Sequence, residues 1–257
     1  MNNISVIIIT KNEANNIVDC IKSAQQISID IIVADSSSED ETAQLVHLTG
    51  AKLLPVEWKG YGQTRNLAAL TAANDWILAL DADERITPAL AATINNLQLQ
   101  NTKLLYGFKR INFFAKKEIH FGEWGTDKIY RLYNRNEASW NVLLVHEKIE
   151  GEKIVNKILV GELLHYTVKD LSHYNTKTIL YAQLSATKYA AQGKKPLLIK
   201  RFASPVFSFI QNYIFRLGFL DGKEGLMIAY TYSQYIYLKY KFLKKLLKQK
   251  SYSTQHG

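Results

Sequence analysis

The sequence predicts an α/β protein with a mostly parallel central sheet and a C-terminal helical appendage. Two observations support this. Four apolar runs of strand type alternate with helix-patterned stretches over the first 90 residues, the order that yields parallel strands with helices on both faces. The basic charge, in contrast, is gathered at the end of the chain: beyond residue 193 there are twelve Lys or Arg against Asp221 and Glu224, while residues 1–193 carry 20 basic and 21 acidic residues.

Residues 4–10, "ISVIIIT", form a charge-free β-branched run, which reads as a strand buried on both faces. Helical spacing follows over residues 12–26, at Ile17, Cys20, Ile21 and Ala24. "IDIIVAD" is a second strand ending at Asp35, and "SSSEDETAQLVHLTG" opens with capping residues and closes at Gly50, so it reads as a helix. "AKLLPVE" is a third strand, "GYGQTRNLAALTAA" a glycine loop entering a helix, and "DWILALD" a fourth strand. Ligands of such sheets sit beyond the carboxyl ends of the strands, where Thr10, Asp35, Glu57 and Asp81 fall. Three later strands are expected in "LLYGFKRINFFAKK", "DKIYRLYNR" and "KILVGELLHYTV". From Asp170 the chain reads as helical over 170–192, 202–219 and 222–248. The expected division is a catalytic domain over 1–168 and a basic, membrane-associating helical region over 169–257.

Composition narrows the class. The 257 residues are 47% hydrophobic, enough for a sizeable core. One cysteine, Cys20, excludes a disulfide framework or a cysteine metal cage and points to a reducing compartment, the cytosol. The first residues lack the basic flank and long apolar run of a signal peptide. The uncharged stretches 202–215 and 225–238 fall short of the roughly 20 residues a spanning helix needs. Interfacial or bundle helices are expected instead, and a tail so basic suits an anionic membrane surface or a nucleic acid.

The chemistry-bearing stretches begin with "LDADE". Three carboxylates in four residues, Asp81, Asp83 and Glu84, require a cation or a site that uses their charge. Asp81 and Asp83 suit Mg²⁺ or Mn²⁺, with phosphate oxygens and water completing the shell. The plainer alternative is solvated carboxylates ahead of a helix near Thr87. Asp35 can accept hydrogen bonds from a base or ribose, while the serines after it resemble a helix cap. In "KGYGQTRN" the glycines allow close backbone approach, and Arg65 can pair with a diphosphate or with carboxylates of the Asp81 type. In "VHEKI", Glu147 could deprotonate a hydroxyl and His146 could ligate a metal, or the pair could be an exposed turn.

In their order, "VIIITKNEANNI", "VADSSSEDET", "GYGQTRN" and "ILALDADE" resemble the successive motifs of glycosyltransferase family 2, over residues 3–90 most strongly. The resemblance departs at Ser37, where family members usually carry glycine. Further on, "DKIYRLYNR", "WNVLLVHEKI" and "GFLDGKEGL" look like the branch that adds glucose to an inner-core heptose of lipopolysaccharide. The resemblance implies a Rossmann-like, nucleotide-sugar-binding glycosyltransferase A fold and an inverting single displacement assisted by a divalent metal, Mn²⁺ or Mg²⁺. It implies Thr10, Glu13, Asp35, Arg65 and Asp81 around a UDP-sugar, and Asp83, with Asp81 and His146, as metal ligands. Glu147 is the expected base, oriented by His146, with Asp127 in reserve. Trp124 and Trp140 could stack on sugar rings or pack in the core. The implied partners are the UDP-sugar, a lipopolysaccharide core acceptor and the anionic inner-membrane surface, with the enzyme peripheral on its cytoplasmic face and no nucleic acid. Another polysaccharide or a lipid-linked acceptor is the alternative. A nucleotidyltransferase would place its glycine loop directly after the first strand, where "TKNEANN" has none. A nucleic-acid binder leaves residues 81–84 without a task.

Overall fold

The computed structural model describes residues 3–143, 147–195 and 197–255. The chain divides into two compact units, one holding residues up to Ile111 with Asp127–Tyr166, the other Asn112–Thr126 with the chain from Thr167 onward.

The first unit is built on β1 (Ile4–Thr10), β2 (Ile31–Asp35), β3 (Lys52–Pro55) and β4 (Trp76–Asp81), which lie parallel in the order β3-β2-β1-β4. β1 is buried at all seven positions. Its alternate residues feed two cores, Ile4, Val6 and Ile8 on one face, Ile7 and Ile9 on the other. Helix α1 (Ile17–Ala24) covers the first face through Ile17, Cys20 and Ile21. Helix α2 (Thr42–Thr49) ends at Gly50, whose φ of 79° is the left-handed stop that glycine provides without steric cost. Helix α3 (Tyr61–Leu70) lays Ala68 and Ala69 on the second face.

Helix α1 is shorter than its apolar spacing predicts, because residues 12–16 build a loop instead. Asn12 takes φ 55°. Its amide donates to Ser38 Oγ at 2.9 Å, and its own Oδ1 accepts from the Glu39 amide at 2.8 Å. The amides of Glu13 and Ala14 donate to Thr42 Oγ1 and Asp40 Oδ2. Two loops at the carboxyl edge of the sheet are thereby fastened to each other.

Beyond β4 the pairing turns antiparallel. Strand β5 (Glu84–Ile86) precedes α4 (Pro88–Asn95), which Thr87 caps through its hydroxyl. β6 (Leu104–Phe114) follows, and its end pairs with β7 (Lys117–Ile119) inside the second unit. β8 (Lys128–Asn134) pairs with β4 and β6, and β11 (Val155–Val168) pairs with β5. Between them β9 (Ala138–Trp140) and β10 (Ile149–Gly151) make a separate hairpin. The sheet is therefore a parallel half extended by antiparallel strands.

The second unit contains α5 (Leu171–Ala191), α6 (Leu198–Ile210) and the long α7 (Gly222–Gln255). No helix among the described residues is long and apolar enough to cross a membrane. The "GFLDGKEGL" element is a structural knot between α6 and α7. Gly218 and Gly225 lie so close that a Cβ on Gly225 would collide with the Gly218 carbonyl oxygen. Asp221, 3% exposed, accepts the amides of His120 and Phe121 at 3.2 and 2.9 Å. Replacing Asp221 with Ala strands both donors, at about 1–3 kcal/mol each. A clear fall in the melting midpoint is the expected result, read by circular dichroism.

Candidate functional site

The carboxyl ends of β1, β2 and β4 bring Thr10, Asp35 and Asp81 to one edge of the sheet. Thr10 is 6% exposed and its hydroxyl has no hydrogen-bond partner among the described residues. Asp35 accepts from the Ser38 amide at 3.2 Å and from the Ser38 hydroxyl at 2.5 Å. That turn requires Ser37 at φ 59°, so the position where the family pattern has glycine does adopt glycine's conformation. Glu13 Oε2 accepts from Asn16 Nδ2 at 2.7 Å.

The acidic cluster after β4 finds its cations inside the protein. Asp81 Oδ1 meets Arg65 Nη2 at 2.5 Å, and Asp81 Oδ2 meets Arg131 Nη2 at 2.9 Å. Glu84 is fully buried; its Oε2 accepts the Asp81 amide at 2.9 Å, and its Oε1 lies 3.1 Å from Arg110 and 3.5 Å from Arg131. Arg110 in turn grips Asp127 Oδ2 through Nε and Nη2, at 2.7 and 2.6 Å. At the other end Arg65 Nη1 holds Glu147 Oε1 at 2.9 Å. The result is an alternating series, Glu147–Arg65–Asp81–Arg131–Glu84–Arg110–Asp127, with four carboxylates held apart by three guanidiniums.

The electrostatics follow from that alternation. Burial alone would raise the Asp81 pKa, but Arg131 and Arg65 overcome it and hold the carboxyl well below the usual carboxylate range. Burial works against the charge of Arg131, and Asp81 and Glu84 more than restore it. Cys20, whose thiol donates to the Asp81 carbonyl at 3.5 Å, is pushed up by burial and then by Glu84, Asp83 and Asp81.

Local packing sets the positions. Asn66 on α3 acts as a strand partner for β9: its Nδ2 donates to the Trp140 carbonyl at 2.8 Å, and its Oδ1 accepts the Trp140 amide at 3.0 Å. Gly62 is needed for that approach, because a Cβ there would collide with the Asn141 carbonyl oxygen. Across the hairpin the Asn141 amide donates to the Lys148 carbonyl at 2.9 Å, which places Glu147 within reach of Arg65. Trp140 is 5% exposed and its ring lies 4.4 Å from the Arg65 guanidinium, so it packs rather than offering a face to a sugar. Trp124 packs edge-on against Tyr174.

This geometry bears on several expectations. Arg65 is 1% exposed and turned toward two carboxylates, which is the pairing with acids of the Asp81 type that the sequence offered as the alternative to a diphosphate. Both Asp81 oxygens already accept from arginines, so the expected sharing of a metal between Asp81 and Asp83 would compete with two ion pairs. Asp127 is bound to Arg110. His146 lies outside the described residues.

Asp83 meets a residue that sequence reasoning missed. His165 on β11 sits opposite Glu84 in the ladder, the Tyr166 amide donates to the Asp83 carbonyl at 2.9 Å, and His165 Nε2 comes within 3.5 Å of Asp83 Oδ2. Both side chains are 12% exposed. A carboxylate suits Mn²⁺ or Mg²⁺, and a neutral imidazole can add a nitrogen ligand, though it is the commoner partner of Zn, Cu, Fe or Ni. Among the described residues no group of three or more such ligands occurs. The sequence signal was a histidine following two leucines in a strand of mixed character.

The family model for glycosyl transferase family 2 matches residues 5–159. An uncharacterized glycosyltransferase of Rickettsia bellii (strain RML369-C) is 30% identical over 98% of this chain and 90% of its own. A lipopolysaccharide core biosynthesis glycosyltransferase, LpsC, of Rhizobium meliloti (strain 1021) is 26% identical over 91% of this chain and 89% of its own. Among solved structures, a glucosyl-3-phosphoglycerate synthase from Mycobacterium tuberculosis, in complex with Mn²⁺, UDP and glucosyl-3-phosphoglycerate, is 21% identical with a TM-score of 0.34. That match covers 43% of this chain and 44% of the synthase.

Two outcomes test the site's architecture. Asp81→Asn leaves two buried guanidiniums short of a charge, and breaking a buried pair costs about 3–5 kcal/mol. A carboxylate with a depressed pKa stabilises the fold above its unfolded value of about 3.9 and loses that contribution as pH falls. The variant's deficit in urea unfolding is therefore largest near neutrality and shrinks below about pH 4. Gly62→Ala forces the hairpin off α3, an overpacking cost of roughly 1–3 kcal/mol, with turnover falling more than stability because Glu147 moves.

Proposed function

The chain belongs to glycosyltransferase family 2, and from that premise we propose that it transfers a hexose, glucose first among candidates, from a UDP-sugar to an inner-core heptose of lipopolysaccharide with inversion. The observation that carries this reading is the division of labour among the acids. Arginines fix Asp81, Glu84 and Asp127 and hold Glu147 by one oxygen, while Asp83 stands beside His165. The similarity to a relative named for lipopolysaccharide core biosynthesis supports the acceptor class.

In this reading Thr10, Glu13 and Asp35 hold the uridine, and Asp81, already immobilised, accepts from a ribose or sugar hydroxyl through its remaining lone pairs. Asp83 and His165 hold the divalent ion, Mn²⁺ or Mg²⁺. When bound, that ion supplies positive charge against the departing diphosphate. Glu147 receives the proton of the acceptor hydroxyl as its oxygen bonds to the anomeric carbon and the bond from that carbon to the diphosphate breaks. Arg65 occupies Oε1, so Oε2 takes the proton. Because the proton moves only as the new bond forms, an ordinary carboxylate suffices. The domain assignment puts catalysis in residues 1–168. It gives residues 169–257, with their excess of Lys and Arg, the task of holding the enzyme at the anionic cytoplasmic face of the inner membrane.

A screen of UDP-sugars against deacylated inner-core oligosaccharides, with the product linkage read by NMR, tests the reading; absence of transfer to any heptose-containing acceptor refutes the acceptor assignment. Glu147→Gln is expected to keep UDP-sugar affinity and lose about 10²–10⁴-fold in transfer. Near-normal transfer by that variant would assign the base elsewhere. Asp83→Ala and His165→Ala are each expected to weaken Mn²⁺-dependent UDP binding by calorimetry while thermal melting stays close to the parent's.

A further inference from the structure

Helix α6 is built inside out. Ile199, Phe202, Ala203, Val206, Phe207 and Ile210 are its outward residues apart from Lys200, and the exposed large ones among them range from 40% to 79% exposure. At 100° per residue they span roughly 140° of the helix, an unbroken apolar stripe facing away from the protein. The apolar exposure continues through Phe215 at 76% and Leu220 at 55%.

The inward side combines buried Pro205 and half-buried Phe209 with polar groups. Ser208 and Asn212 are 6% and 4% exposed, and Asn212 Nδ2 donates to the Ser208 carbonyl at 3.1 Å. Toward α7, Ser233 Oγ donates to the Pro205 carbonyl at 2.9 Å and Arg201 Nη2 to the Tyr237 hydroxyl at 2.9 Å. A helix in water turns its apolar stripe to the core, so this one is patterned for an apolar medium outside. Lys194, Lys195, Lys200, Arg201 and Arg216 accompany the stripe, and residues 194–220 contain no acidic residue. Two such faces brought together would juxtapose like charges, whereas an anionic lipid surface complements them. With 13 residues, about 20 Å long, α6 is too short to span a bilayer and suits an in-plane position.

We propose that the outward face of α6, continued through Phe215 and Leu220, seats in the headgroup–acyl boundary of an anionic membrane. The Lys and Arg residues flanking it reach the phosphates. This deepens the membrane-facing part of the function proposed above and rests on it only for its biological purpose. Vesicle binding is measured without donor or acceptor, so its failure and a failure of the acceptor assignment are distinguishable.

The test uses the full chain with vesicles of phosphatidylethanolamine containing phosphatidylglycerol. Phe202→Ser/Phe207→Ser is expected to weaken co-sedimentation about tenfold or more, since the two rings are the largest groups on the stripe. As a second measurement, Phe207→Cys carries an environment-sensitive dye. The native Cys20 is fully buried, so the label goes to position 207, and vesicles are expected to blue-shift its emission. Salt-sensitive binding that the double variant leaves unchanged, with no dye shift, would overturn the proposal in favour of tail electrostatics alone. A vesicle-free dimer that the double variant converts to monomer in sedimentation equilibrium would overturn it in favour of a second copy of the chain.

Discussion

Arg65, Arg131 and Arg110 separate four carboxylates at the edge of a parallel sheet, and the rest of the site depends on that separation. Asp81 and Glu84 leave β4 three residues apart, with Asp83 between them, and Glu84 is buried completely. Bare, they would repel and leave at least one of them protonated. Each guanidinium sits between two acids and presents a planar fork that a lysine ammonium cannot imitate. Ion pairs of this kind contribute little net stability compared with apolar residues of the same size. Their yield is position, because a carboxylate held from two directions cannot turn away.

The chain order already contained much of this. The four parallel strands could be read because β-branched runs alternate with helical spacing, and Gly50 and Pro88 punctuate helices where local sterics require them. Asp81 and Asp83 were visible as an excess of negative charge that needed a cation. Arg65 was already a candidate partner for Asp81; that Arg110 and Arg131 would complete the cation was not visible, since their pairings bridge 17 to 50 positions. His165 was hidden for a related reason: only the antiparallel register of β11 on β5 brings it to Asp83. The shortening of α1 was equally opaque, because it arises where two distant loops exchange hydrogen bonds.

The helical region shows where periodicity misleads. Residues 202–215 have the apolar density of a core helix, yet the structure buries Ser208 and Asn212 and exposes Phe202, Phe207 and Phe215. Composition detects amphipathicity but not which face points inward; that is decided by what α7 offers, here Ser233 and Tyr237 as hydrogen-bonding partners. "GFLDGKEGL" is similar in kind. Its glycines and Asp221 serve packing and backbone amides, so a motif that helps to place the chain in a family need not touch a substrate.

Arg65 joins Asp81 at the strand end to Glu147 on the hairpin, which makes the two acids energetically dependent on one another. Neutralising Asp81 frees one arm of the guanidinium to strengthen its hold on Glu147, and neutralising Glu147 does the reverse. Single substitutions therefore report on the pair, and residues sharing one hydrogen-bonded network couple by about 0.5–3 kcal/mol. The separate contribution of each acid emerges only when both are changed together and the double variant is set against the singles. Asp83 lies 3.5 Å from His165, and His165 in turn helps to hold the Asp81 pKa down, so that pair is tied electrostatically to the series as well.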